Sequence, residues 1–213
     1  MIIHADMDAY YASVEIRERP ELADKIPPIE RNTRTAAIGL HIQRDGRDSV
    51  FHPRGGSQLD ILGLMFNSAI GSDFGFESYE LSFAKYHGFG EKTVLAYRAS
   101  ACAIGGKAPF FSLCSLGNSR DLRGYEYGRY SDRRMWTGQV EYRRQLPKRL
   151  GFVLFGGAGA VAHELGDFFS NTRPSAGGGL RFTLAKRTGI NLRFDVAVGQ
   201  DGPAWYVSMG EAF

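Results

Sequence analysis

Apolar and polar residues alternate along most of this chain from about residue 35 onward. The clearest stretch is residues 190–199. Ile190, Leu192, Phe194, Val196 and Val198 fall on one face, and Asn191, Arg193, Asp195, Ala197 and Gly199 on the other. A period of two is the signature of a β-strand between two different environments. Residues 178–186 repeat it, with Leu180, Phe182 and Leu184 opposite Arg181 and Thr183. So do residues 136–146, where Val140, Tyr142 and Leu146 oppose Gln139, Glu141, Arg143 and Gln145. Residues 204–213 alternate Trp205, Val207 and Met209 with Tyr206, Ser208, Gly210 and Ala212 and finish on Phe213. Residues 151–162 read as a glycine-rich strand, one that something approaches closely. Residues 35–43, 58–67, 76–86 and 92–104 complete a set of about nine strands at hairpin spacing. No helical period stands out after residue 30.

Two architectures share this pattern. A soluble sandwich buries the apolar faces and solvates the polar ones; a membrane barrel turns the apolar faces to lipid and the polar ones to a lumen. Strand lengths of roughly 9–12 residues suit a tilted bilayer crossing better than the shorter strands of globular sheets. The 27 glycines, 15 Phe and 10 Tyr suit a turn-rich β protein. Short turns are expected at Gly88-Phe89-Gly90, Arg187-Thr188-Gly189 and Gln200-Asp201-Gly202-Pro203. The mean hydropathy of −0.25 does not decide between the two, because lipid-facing and lumen-facing residues cancel in an average. A net charge of +3 is too small to argue for nucleic acid. Cys102 and Cys114 are too few for a disulfide scaffold and leave a single bond open. The start, Met1-Ile2-Ile3-His4, is not a secretory signal. The expected fold class is all-β: an antiparallel transmembrane β-barrel of about nine strands.

The segment Ala108-Pro109-Phe110-Phe111 through Tyr125 and on to Arg133 is too long for a hairpin loop. Within it, Leu122-Arg123-Gly124-Tyr125 resembles the Arg-Gly-aromatic signature in the long loop of the BamA/TamA-type outer-membrane assembly proteins, the bacterial surface antigen family. Arg44-Asp45-Gly46-Arg47-Asp48, then His52-Pro53-Arg54-Gly55-Gly56, is similar to that family's acidic turn and Pro-x-x-Gly. Residues 199–213 look like its last hairpin. The resemblance spans residues 30–213 and rests on the order and spacing of motifs that are weak singly. It implies that the loop folds into the lumen with Arg123 held by acidic groups on the wall. Strand parity makes Asp195 the candidate partner, the alternative being a solvated Arg123 with Asp195 paired to Arg193 or Arg181. Where many members carry an Asp in the strand after the loop, this chain has Phe155-Gly156-Gly157-Ala158-Gly159. The resemblance further implies that the nine or so strands are the barrel's C-terminal portion, and that the last strand, through Trp205, Val207, Met209 and Phe213, serves as the assembly signal.

The first residues differ in kind. Ile2-Ile3-His4-Ala5-Asp6-Met7-Asp8-Ala9-Tyr10-Tyr11 is similar to the opening of Y-family DNA polymerases of the DinB type. That resemblance makes Asp6 a magnesium ligand and Tyr11 a sugar gate. It stops near residue 25. Two-metal phosphoryl transfer needs further carboxylates, and the chain has no Asp-Glu pair to supply that family's later motif. The expected organisation is therefore a non-functional polymerase-like leader, residues 1–26, joined at Ile26-Pro27-Pro28 to a barrel portion, residues 27–213. A partial sheet leaves unpaired backbone at both edges, so closure calls for further strands or another copy.

The function implied is non-enzymatic: assembly, insertion or translocation of proteins at the outer membrane of a Gram-negative bacterium. Expected partners are the lipid bilayer, unfolded outer-membrane client proteins and assembly-machinery subunits, with no nucleic acid and no cofactor. A passive pore or structural membrane protein is the alternative, and a polymerase fragment the third. His41, His52, His87 and His163 lack metal-ligand spacing.

Overall fold

The computed structural model describes residues 33–117, 121–185 and 189–213. The leader, with Asp6 and Tyr11, and the Arg187-Thr188 part of one expected turn lie outside the described residues. Eleven strands follow in order. They are β1 (Ala37–Asp45), β2 (Gly56–Phe66), β3 (Phe76–Phe89), β4 (Thr93–Gly106), β5 (Cys114–Leu116), β6 (Tyr130–Asp132), β7 (Arg134–Gln145), β8 (Leu150–Ala162), β9 (Arg173–Ala185), β10 (Ile190–Gly199) and β11 (Gly202–Met209). Nine form one sheet in the order β1-β2-β3-β4-β7-β8-β9-β10-β11, and β5 and β6 pair separately. Every neighbouring pair is antiparallel. The chain is thus an all-β antiparallel sheet of nine strands, as the alternation predicts. Among the described residues no helix is long and apolar enough to cross a membrane, which says nothing of strands.

Burial separates the two faces, and it does so in reverse. On β9, Leu180 is 63% exposed while its neighbour Arg181 is 4% exposed. On β7, Val140 and Tyr142 are exposed, whereas Gln139, Glu141 and Arg143 are buried. On β10, Leu192, Phe194 and Val198 point out, and Asn191, Arg193 and Asp195 point in. Water would penalise so many exposed large side chains. A sheet whose convex face meets hydrocarbon and whose concave face encloses polar groups fits this distribution.

All nine expected sheet strands are present, with shifted ends. β9 begins at Arg173 rather than near residue 178, through Pro174 and the run Gly177-Gly178-Gly179. That run has little strand propensity of its own; it is held because β8 and β10 pair with it on both sides. At the other end, β11 stops at Met209 instead of running to Phe213. Gly210 adopts φ 85°, a left-handed conformation that turns the tail inward. Phe213 then stacks near Tyr86 at 6.4 Å, on the lumen side of β3.

Two ends of the sheet differ. The connection between β4 and β7, residues 107–133, emerges at one end and folds back inside. The turns after β1, β3 and β7 lie at the other end with residues 210–213. The β10–β11 connection is a tight turn, since Gly199 already pairs with Gly202.

The inverted face gives a direct test. Leu180→Arg, near the middle of β9, is expected to destabilise the folded chain in lipid by about 2–4 kcal/mol in urea unfolding. Ser78→Arg, on the lumen side of β3, should leave the midpoint near that of the parent. Equal effects at the two positions would contradict the lipid-facing assignment.

Candidate functional site: an arginine held inside the sheet

The long connection enters the lumen on an apolar foot. Cys114 at the start of β5 is disulfide-bonded to Cys102 on β4. Beyond it, Leu116 and Leu122 are fully buried and pack in one cluster with Phe76, Ile104 and Met135 of the wall. The small hairpin of β5 and β6 braces this limb, with Ser115 and Ser131 hydroxyls 2.7 Å apart. Burying these side chains carries the next residue, Arg123, to a depth where it has no solvent exposure at all.

A guanidinium there must find its partners in the wall. Its Nη1 donates to Asp195 Oδ2 on β10 at 2.6 Å, and its Nη2 donates to Glu141 Oε1 on β7. Its Nε reaches Gln139 Oε1 on β7 at 3.3 Å. The face of the guanidinium lies 3.5 Å from the centre of the Phe155 ring on β8. The main chain is held as well: the Ser175 hydroxyl donates to the Arg123 carbonyl, and Gly124 N–H donates to the Tyr206 hydroxyl at 2.9 Å. Gly124 has φ 103°, and a Cβ there would crowd Gly199 and Ser175, so the turn after the arginine needs glycine. Tyr125 donates its hydroxyl to the Pro174 carbonyl at 2.5 Å and accepts from Gln200 N–H at 3.3 Å.

The wall is shaped to receive this. A Cβ at Gly179 would fall on the Asp195 carboxylate, and one at Gly177 on the Phe155 ring. These two glycines of β9 therefore clear room for the groups that hold Arg123.

From the arginine the ionic network descends toward the tail. Arg181 donates to Asp195 Oδ1 at 2.5 Å and to Glu211 Oε2 at 2.8 Å. Arg143 bonds Glu141 at 2.7 Å and the Phe213 main-chain oxygen at 2.9 Å. Asn191 and His52 both meet Glu211, at 2.8 and 3.3 Å. Burial pushes the Glu211 carboxyl up, but the His52 hydrogen bond and the Arg143 and Arg181 charges outweigh it and hold it well below the usual carboxylate range. His52 comes from the connection after β1, so this contact ties the near end of the sheet to the far end.

The sequence motif residues fall as follows. Leu122, Arg123, Gly124 and Tyr125 sit together in the lumen, and Asp195 is a direct partner of Arg123. Asp195 also pairs with Arg181, so the two pairings weighed from the sequence coexist. Trp205, Val207 and Met209 form an exposed outer row on β11. Phe213 is apart from them, inside. Glu141 and Glu211 are the partners that sequence reading passed over; the alternation on β7 had already put Glu141 on the polar face. Among the described residues no group of three His, Cys, Asp or Glu side chains is placed to hold a metal.

The comparisons with known proteins bear on this arrangement. The Omp85 superfamily domain matches residues 8–213 of the chain. This chain belongs to the Omp85 superfamily. Among solved structures, this Omp85 chain is similar in fold to BamA from Haemophilus ducreyi lacking POTRA domains 1-3, with a TM-score of 0.68 and 18% identity. That match covers 90% of the Omp85 chain and 46% of the BamA chain, so the chain spans about half the length of that relative. A separate, short similarity joins it to DNA polymerase kappa of Mus musculus, 44% identical over 45 residues, which is 21% of this chain and 5% of the polymerase. With the family match, the fold makes this a portion of an Omp85-superfamily outer-membrane β-barrel, similar in fold to the barrel of BamA.

Two outcomes are expected. Arg123→Ala takes from Glu141 and Asp195 one buried cation each, leaving them to Arg143 and Arg181, and should cost about 3 kcal/mol in unfolding, with Arg123→Lys in between. A loss below that of an ordinary surface substitution would show the arginine to be incidental. The second outcome concerns pH. Because the folded Glu211 carboxyl titrates below its ordinary range, its contribution is full above that range and is lost as pH falls through the depressed value. Stability followed by urea midpoint should fall with acid, and Glu211→Gln should flatten that dependence.

Proposed function

We propose that this chain forms part of the wall of an outer-membrane assembly barrel that helps insert or translocate other proteins, without enzymatic chemistry. The observation that carries the reading is the Arg123 arrangement. An internal loop is fastened by one cation to β7, β8 and β10 at once, in a chain of the Omp85 superfamily. Such a fastening keeps the wall rigid while a weak seam where the barrel closes opens to client strands, which bind by strand addition. The outer row of Trp205, Val207 and Met209, together with Phe213, is the segment we assign as the assembly signal. The Cys102–Cys114 bond supports an oxidising location outside the cytoplasm, in keeping with the outer membrane of a Gram-negative bacterium. Partners on this reading are the bilayer, unfolded barrel clients and other assembly subunits. Residues 27–213 make up the working portion, and residues 1–26 a leader that contributes no polymerase chemistry.

The test is client folding. With the full chain reconstituted in liposomes, an unfolded barrel protein should fold faster than in empty liposomes. Arg123→Ala should lose most of that acceleration while still inserting. Ion conductance without any acceleration of client folding would favour a passive pore instead. Magnesium-dependent extension of a primed template, abolished by Asp6→Ala, would overturn the non-enzymatic assignment.

A further inference from the structure

The outer face carries a feature that general lipid contact does not require. Along the outward side of the second half of β4, beyond Leu95 and Tyr97, the side chains are small: Ala99, Ala101 and Ala103, followed by Gly105. The strands beside it present large ones. The register sets Phe83 against Ala99, Leu81 against Ala101 and Tyr79 against Ala103 on the β3 side. On the β7 side Trp136 faces Ala101 and Arg134 faces Ala103. Gly138 faces Ala99, so the furrow along β4 is walled on both sides at Ala101 and Ala103 and is open toward β7 at Ala99.

The second wall is built higher by the β8–β9 connection, which folds down over the outer surface. Trp136 donates its indole N–H to the Phe168 carbonyl at 2.7 Å, and its ring meets Phe168 and Phe169 at 6.4 and 5.4 Å. Leu165 and Phe168 overhang an outer-face hollow of about 860 Å³ that extends over β1 and β2, with Leu40 and Met65 in its lining, and reaches Ala101 and Ala103 of the furrow. From Ala99 to Gly105 the strand rises about 20 Å, the length of a long fatty acyl chain.

Charge appears only at the mouth. Arg134 stands on one side of the furrow, opposite Ala103. Glu77 stands on the other, opposite Gly105, and its carboxylate lies over that glycine: a Cβ at Gly105 would be 2.6 Å from Glu77 Oε2. A cation and an anion across one furrow end match a headgroup that bears both charges.

We propose that the β4 furrow is a binding site for a phosphoethanolamine phospholipid. One acyl chain lies over Ala99, Ala101 and Ala103, the phosphate meets Arg134 and the ammonium meets Glu77. The site rests on the membrane reading above, and the test separates the two. In the full chain with Trp205→Phe, Trp136 reports on the furrow, and brominated-chain phosphatidylethanolamine titrated into detergent micelles should quench it saturably. Arg134→Gln and Glu77→Gln should each weaken binding about fivefold, the loss of one half-exposed ion pair. Ala101→Leu, which fills the furrow without touching charge, should weaken it as well. Brominated phosphatidylglycerol, lacking the ammonium, should bind less tightly and should be indifferent to Glu77→Gln. Quenching that rises in proportion to brominated lipid, alike for both headgroups and all variants, would overturn the site. Trp205, read in the Trp136→Phe chain, then decides the larger matter. Quenched there, it leaves the lipid-facing sheet standing; shielded, it removes the membrane reading too.

Discussion

A guanidinium with no access to solvent sets the terms for everything around it. Placing an unpaired charge in the lumen costs several kcal/mol even after relaxation, so Arg123 is tolerable only where carboxylates are already in place. Glu141 and Asp195 meet that condition from two strands that are not neighbours in the sheet. The curvature of the wall between them, through β8 and β9, is therefore coupled to the loop. Two glycines of β9 follow from the same demand, because a side chain at 177 or 179 would displace the ring or carboxylate that holds the arginine. Phe155 on β8 offers the flat face of the cation an aromatic quadrupole rather than a charge. With two carboxylates engaged at the edges of the guanidinium, a third anion there would have added repulsion without a free donor geometry to match it.

The interior of this protein is consequently ionic where a soluble sheet would be aliphatic. Arg143 and Arg181 extend the network to Glu211, and Glu211 gathers Asn191 and His52. Glu141, Asp195 and Glu211 each answer more than one cation, which keeps buried acceptors satisfied and makes the network respond as a unit. The apolar residues saved from the interior go to the outside, where Leu154, Leu180, Phe194 and Val207 stand exposed. A composition that averages to a soluble value hides this division, because the average has no knowledge of which face a residue occupies.

Parity along the chain revealed that division before any coordinates. Residues 190–199 have the same ends in sequence and structure, because neither glycine nor proline interrupts the alternation. Asp195 was legible as a partner for Arg123 for the same reason. Glu141 stood on the correct face but next to Arg143, and periodicity does not say which of two cations a carboxylate will serve; it serves both. The tail was misread because alternation continues formally through Gly210, Glu211 and Ala212. One glycine in a left-handed conformation ended the strand, and no pattern of hydrophobicity encodes that choice. The start of β9 was hidden by the opposite effect, a glycine run made into a strand by its neighbours.

Direction of travel imposes a last constraint. With nine strands and antiparallel neighbours throughout, β1 and β11 run the same way. Joining them directly, or joining β11 to β1 of a second copy in the same membrane orientation, would make a parallel seam, the exception among barrels and the slightly weaker pairing per residue. Leaving both edges open in hydrocarbon is worse, at several kcal/mol for every unpaired backbone group. An odd number of further strands between the two edges removes both penalties, because it restores antiparallel pairing all the way round. β1 is suited to meet such a strand: its outward residues Ile38, Leu40 and Ile42 continue the lipid-facing surface, and His41 and Gln43 on its inward side already pair with Asp60 of β2. Closure by additional antiparallel strands is thus favoured over self-association, on the direction of two strands alone.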